Sequence, residues 1–345
     1  MLRCSQNRIV LMGMSVLIVV MAQMASGALV ERIFLGAPAQ SGAAYDIFSM
    51  RPDGTDLRNL STDTGLSLGN PRISPDGTRI AYGAWDGANH SLWVMNPDGS
   101  NKTFVRNIGL NHDIRWFDNN TIAYSVRTGA LDSEIRSVNV NGTNDSVLVS
   151  IPMLGQYVLN LFDFAPDRRK IAISAQVHGY WSPNEDIYLA DVLSASSTAN
   201  HRAFYADTGD DQMDRWPAFS RDGNSVFWMH DTVPGVETPK ALVRKAVNGS
   251  SPVTDYDEVI RPAGANGLSM WTLLATSLDD ERFLLTDEDG RFYMWDSVLR
   301  TDTLLFGSYP TGGADWGMVV PEPASIAILG LGGVGILVRR GGLGR

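Results

Sequence analysis

Cysteine is almost missing: Cys4 is the single one in 345 residues. That excludes a disulfide framework and a thiolate metal cluster. Histidine is scarce too, at five residues, and no two stand at a local metal-ligand spacing such as H-x-H. Nor is there any excess of positive charge. Lys and Arg number 28 against 38 Asp and Glu, a net charge of −10. With no basic surface to neutralise phosphates, a nucleic-acid partner is not expected. The chain does have apolar and aromatic weight, with 44% hydrophobic, 9% aromatic and only 19% charged residues. Such a chain can bury enough surface to offset its conformational entropy, which excludes a disordered protein. Its 34 glycines and 16 prolines suit an all-β fold with many tight turns.

Both ends read as addresses. Arg3 and Arg8 flank the start of an apolar run from Ile9 to Met24, and the small residues Ala25, Ser26, Gly27 and Ala28 follow. A charged start, an apolar middle and a small-residue cleavage site predict a secretory signal peptide over residues 1–28. An uncleaved signal anchor is the alternative, but the run falls short of the ~20 residues of a spanning helix. At the other end come Pro321, Glu322 and Pro323, an apolar Gly-rich run from Ala324 to Val338, then Arg339 and Arg340. As a helix that run reaches about 22 Å, marginal for a ~30 Å hydrocarbon core. A basic pair beyond it suits the cytoplasmic side. These three parts, in this order, resemble the PEP-CTERM sorting signal of exported bacterial proteins. The resemblance implies an exosortase as sorting partner and a membrane anchor, transient or stable, through residues 321–345. The body would then be periplasmic or at the cell surface.

Between the ends one pattern recurs. Its clearest copy is Pro71–Tyr82, a short strand, the turn Ser74-Pro75-Asp76-Gly77, and a second strand with alternating apolar residues. Weaker copies turn at Phe117, Ala165, Ser220 and Ser277, at intervals of 43, 48, 55 and 57 residues from Ser74 onward. A second hairpin alternates with the first, beginning with the Pro52-Asp53-Gly54 and Pro97-Asp98-Gly99 turns and continuing at Asn141-Gly142 and Asn248-Gly249. Two hairpins per repeat make a four-stranded antiparallel blade of a β-propeller. The turn motifs and their spacing resemble the TolB-like branch of WD40-like propellers, over roughly residues 29–320. Six second hairpins are present but only five complete first ones. The missing inner strand is expected at Ala314–Val320, pairing with Arg32–Gly36 and closing a ring of six blades. Seven blades would require an irregular blade hidden in a long interval.

In a propeller the short repeated turns occupy one face, and the other face carries the longer, irregular connections where binding residues tend to sit. That rule selects His90, His112, Asp113, His178, Trp181 and His230, together with Asp210, Asp211, Asp214 and Arg215 from the acidic stretch entering an inner strand. Clustered carboxylates suit a hard cation, so this stretch reads as a site for a divalent cation or a sugar near the channel mouth, although no cofactor is expected. The bland reading is a solvated loop with Arg215 ion-paired to a neighbour. Trp85 and Trp316 are further loop-side or channel-side candidates, whereas Trp93, Trp228 and Trp295 alternate as strand core. Gly65–Gly69 spells G-x-S-x-G but lacks the helix of a nucleophile elbow.

Three functions fit. The first needs nothing beyond what is visible: a non-catalytic propeller binding protein or polysaccharide. The second, a metal-dependent oligosaccharide lyase, is implied by the resemblance, since some TolB-like propellers have that activity. It would need several of the four loop histidines to converge. The third is a structural component of an extracellular matrix.

Overall fold

A Ser-x-Asp turn explains why the first hairpins form where they do. The Ser74 hydroxyl donates to Asp76 Oδ1 at 2.6 Å and accepts the Arg79 N–H at 2.9 Å. Ser220 repeats this with Asp222 and Ser225, and Ser277 with Asp279 and Arg282. Each serine therefore closes its own hairpin from both sides. The computed structural model describes residues 29–38, 44–62, 64–109, 113–127, 133–149, 158–176, 185–206, 213–232, 240–307 and 313–320.

Residues Val30–Val319 form one compact unit of six four-stranded antiparallel sheets. Blade 1 contains β1 (Val30–Pro38), β2 (Tyr45–Met50) and β3 (Arg58–Asn59). Blade 2 runs β4 (Ser67–Ile73), β5 (Ile80–Trp85), β6 (His90–Met95) and β7 (Thr103–Asn107). Blade 3 has β8 (Ile114–Trp116), β9 (Thr121–Arg127), β10 (Ser133–Asn139) and β11 (Ser146–Val149). Blade 4 has β12 (Val158–Phe164), β13 (Lys170–Gln176), β14 (Glu185–Ser194) and β15 (Ser197–Tyr205). Blade 5 is β16 (Asp214–Phe219), β17 (Ser225–Asp231), β18 (Lys240–Ala246) and β19 (Glu258–Arg261). Blade 6 is β20 (Met270–Thr276), β21 (Arg282–Asp287), β22 (Phe292–Asp296) and β23 (Thr301–Phe306). The last strand, β24 (Ala314–Val319), returns to blade 1 and pairs antiparallel with β1, Ile33 opposite Trp316. The expected six blades and their closure are both observed.

Closure leaves β24, β4, β8, β12, β16 and β20 as neighbours in a ring around a central channel. Because strand side chains alternate, each blade buries one face against the blade before it and the other against the blade after. In β13, Ile171, Ile173 and Ala175 pack toward blade 3, while Ala172 packs toward blade 5. Six apolar clusters result, one at each interface between blades. Trp228 and Trp295 lie in them as expected. Trp316 does too: it is 1% exposed, packs between blades 6 and 1, and donates its Nε1 to Glu31 at 2.7 Å. Its ring is therefore core rather than a free binding surface. Ser67 of the G-x-S-x-G match begins β4 and accepts the Tyr45 N–H, which is no nucleophile elbow.

Gly77 shows how tightly the turns meet the next blade. It has φ +71°, and a Cβ there would collide with the Met318 carbonyl oxygen of β24. Gly65 has a similar φ of +67° but open space around it. In urea unfolding, Gly65→Ala is expected to cost about 1 kcal/mol for the left-handed backbone. Gly77→Ala should cost about 3 kcal/mol or more, because steric strain is added. Equal losses would contradict the close approach of turn and strand.

Candidate functional site

The channel is the one place where all six blades meet, and bulges decide which side chains reach it. The register slips in β4 between Gly69 and Arg72, in β12 between Leu159 and Leu161, in β16 between Arg215 and Ala218, and twice in β20. A bulge re-aims side chains that strict alternation would send elsewhere. Two cavities result. One, of about 440 Å³, opens toward the irregular face and is bordered by Asn70, Trp216, Trp271, Glu288 and Asp289. The other, of about 340 Å³, opens toward the turn face beside Ser74, Pro166, Arg168 and Arg221. Arg72, Arg115, Ala218 and Leu274 line both and form the waist between them.

Asp113 organises that waist. It is 1% exposed and pairs with Arg72 at 3.0 Å and with Arg115. Arg115 also reaches Asp163 at 3.3 Å. Arg72 donates further to the carbonyls of Ile114 (3.0 Å) and Ala314, tying blade 2 to its neighbours on both sides. Burial opposes the charge on both arginines. Asp113 and Asp163 together carry Arg115 above its usual range, whereas Arg72, with the Arg115 charge beside it, is held below. Three carboxylates accept main-chain N–H groups from the following blade: Asp315 from Ile73 (2.7 Å), Asp113 from Phe162 (3.3 Å) and Asp163 from Phe219 (2.8 Å).

Of the residues selected from sequence, Asp113 borders the irregular-face cavity. Asp214 and His230 come together away from it, in adjacent strands of blade 5. Asp214 is fully buried, lies 2.9 Å from His230 Nδ1 and accepts the Trp228 indole N–H at 2.7 Å. His230 is 8% exposed and packs edge-on against Tyr205. It stands near the end of β17, beside an irregular connection. Arg215 forms the anticipated ion pair, with the buried Glu185. His90 stands apart on blade 2, stacked on the exposed Trp85 with ring centroids 6.0 Å apart. His112, His178, Trp181, Asp210 and Asp211 lie outside the described residues, as do Pro321, Glu322, Pro323, Arg339 and Arg340. Among the described residues no group of three His, Cys, Asp or Glu side chains could hold a metal ion.

Sequence reasoning missed Trp216, Trp271, Arg72, Arg115, Arg168 and Arg221. Two of them carried a signal. Among the described residues ten non-glycine residues have a left-handed backbone, and apart from Asn and Asp only Arg168, Trp216 and Arg300 are among them. A large side chain in that conformation is strained, and Arg168 and Trp216 each border one half of the channel.

Comparison with known proteins agrees with this geometry. The family model of the PEP-CTERM protein-sorting motif matches residues 319–341. A TolB homolog from Chlorobium luteolum is 28% identical over 148 residues, which is 43% of this chain and 31% of that protein. TolB from Acinetobacter baumannii superposes with a TM-score of 0.60 at 14% identity, over 83% of this chain and 66% of that one. For a putative TolB from Agrobacterium tumefaciens the TM-score is 0.53 at 15% identity, over 85% and 99%. A chain of the nidogen/laminin complex gives 0.55 at 12% identity, over 83% and 97%. This chain is a six-bladed propeller similar in fold to TolB, and it carries a PEP-CTERM motif. The motif contains the Pro-Glu-Pro triplet, Arg339 and Arg340, and it marks an exported, exosortase-sorted protein of the cell envelope. The chain spans about a third of the Chlorobium relative's length, so that likeness carries architecture alone.

His90 gives a direct check on the loop geometry of this TolB-like propeller. Burial lowers its pKa below the usual 6.5, and the nearby Asp86 charge opposes that shift. An NMR titration should therefore place the His90 midpoint below 6.5, and Asp86→Asn should move it lower still. A midpoint that rises in the variant would contradict the packing of Trp85, Asp86 and His90.

Proposed function

We propose that the protein is a non-catalytic binding module that holds a polysaccharide chain at the irregular-face mouth of its channel. In this reading residues 1–28 direct export, the propeller body binds, and residues 321–345 direct sorting and anchoring. Trp216 is the observation that carries it. The residue sits at φ +58° inside the β16 bulge, a costly conformation for a bulky side chain, and borders the same cavity as Trp271. Aromatic faces pack against the C–H faces of sugar rings, and nearby polar groups fix their orientation. Asn70, Glu288 and Asp289 supply such groups. The Trp271 ring N–H is buried without a hydrogen-bond partner among the described residues, so the ring's contribution to binding is that of its apolar face.

The geometry of the described histidines favours binding over lyase chemistry. His90 and His230 stand on different blades, and Nδ1 of His230 is engaged by Asp214. A structural role in a matrix is compatible with binding at the same mouth.

The test uses the full chain with neutral, amino-sugar and uronic-acid hexasaccharides in a calorimetric titration. At least one is expected to bind, and Trp271→Ala and Trp216→Gly should each weaken it about tenfold. Glycine at 216 keeps the left-handed backbone, so the fold is preserved. Failure of every oligosaccharide to bind, or equal binding by both variants, would overturn the proposal.

A further inference from the structure

We propose that the turn-face half of the channel is a separate site for a monocarboxylic acid with an apolar body, its carboxylate received by Arg168. The inference is independent of the reading of the other half.

The internal repeat offers a comparison: the last turn position is glycine in blades 2 and 5 and Asp280, at φ +57°, in blade 6. Ser74-Pro75-Asp76-Gly77 and Ser220-Arg221-Asp222-Gly223 end their turns on glycine, at φ +71° and +72°. Blade 4 makes the same turn with Ala165-Pro166-Asp167-Arg168, and Arg168 adopts φ +61°. The hydrogen bond is the same in all three: Gly77 N to Ser74 O at 2.9 Å, Gly223 N to Ser220 O at 2.9 Å, Arg168 N to Ala165 O at 2.8 Å. An arginine thus occupies a position whose backbone favours glycine, and strain of this kind gathers at ligand sites.

Its side chain has no structural duty that accounts for the exchange. The Arg168 guanidinium borders the cavity and lies 5.8 Å from the Phe164 ring centroid. Among the described residues it makes neither an ion pair nor a hydrogen bond. Burial disfavours its charge, and Asp163 and Asp118 offset this only in part. Arg221 differs: its guanidinium is spent on the carbonyls of Ser277, Thr276 and Trp316.

Charge and shape choose the ligand. Arg72 and Arg115 are paired with Asp113 and Asp163, and the Arg221 guanidinium is held by carbonyls, so Arg168 is the cavity-lining arginine whose side chain has no hydrogen-bond partner among the described residues. A single guanidinium with free donors calls for a ligand with a single anionic group. A carboxylate matches the planar fork of a free guanidinium. Leu274, Leu278, Phe219 and Met318 line the remaining wall of a cavity of about 340 Å³, which suits a small aliphatic or aromatic body.

The test titrates the full chain with benzoate and hexanoate, and with the neutral benzamide and hexanamide, reading calorimetry and the arginine Nε NMR signals. At least one acid is expected to bind at millimolar concentration, with the amides much weaker and the Arg168 signal shifted. Arg168→Gly should weaken acid binding by about thirtyfold or more while raising the thermal midpoint by about 2 °C, since glycine relieves the backbone. A merely structural arginine would give no binding to lose. Trp271→Ala should leave acid binding unchanged. Absence of binding by either acid, equal binding of the amides, or undiminished binding by the Arg168→Gly chain would overturn the proposal.

Discussion

Side-chain carboxylates at the channel wall hold this propeller together where its own sheets cannot. Within each blade the sheet pairs the inner strand on one side, and the other edge of that strand faces the channel. Asp315, Asp113 and Asp163 reach across and accept the N–H of Ile73, Phe162 and Phe219 in the next blade. Buried N–H groups left without partners are costly, so these contacts satisfy donors and fix the spacing of blades together. Arg72 and Arg115 in turn neutralise Asp113. The pairing of β24 with β1 completes the circle and removes the open edge the first and last blades would otherwise present.

The same network explains why the channel is divided. The arginines that compensate the latching carboxylates lie at the waist, and a cavity remains on either side of them. The wall is also uneven around its circumference. Blades 1 to 4 contribute Asp315, Arg72, Arg115 and Asp163, while blades 5 and 6 contribute Ala218 and Leu274 at the waist, with Trp216 and Trp271 above it. A charged wall facing an apolar and aromatic one is suited to ligands with both kinds of surface. An exported envelope protein meets many of these.

The architecture was legible because it is repetitive. Ser74, Ser220 and Ser277 close their hairpins through the same hydroxyl bonds, and strand counting alone placed the closing pair at Ala314–Val320 and Arg32–Gly36. The site was less legible, for a physical reason. Bulges in β4, β12, β16 and β20 shift the phase of alternation, so residues such as Trp216 and Arg72 cannot be assigned to the channel by counting in twos. Loop-face sorting reached Asp113, which borders the cavity, and His230, whose ring stands beside the buried Asp214 away from it. Arg168 was visible in principle, as an arginine standing where two sister turns have glycine.

Hydrogen–deuterium exchange of the Ile73, Phe162 and Phe219 amides tests the latching carboxylates most directly. These inner-strand amides should exchange as slowly as the central strands β5, β13 and β17, because opening them requires separating blades. Exchange at the rate of the surface turns would show that the blades are held by apolar packing alone, and would contradict the account.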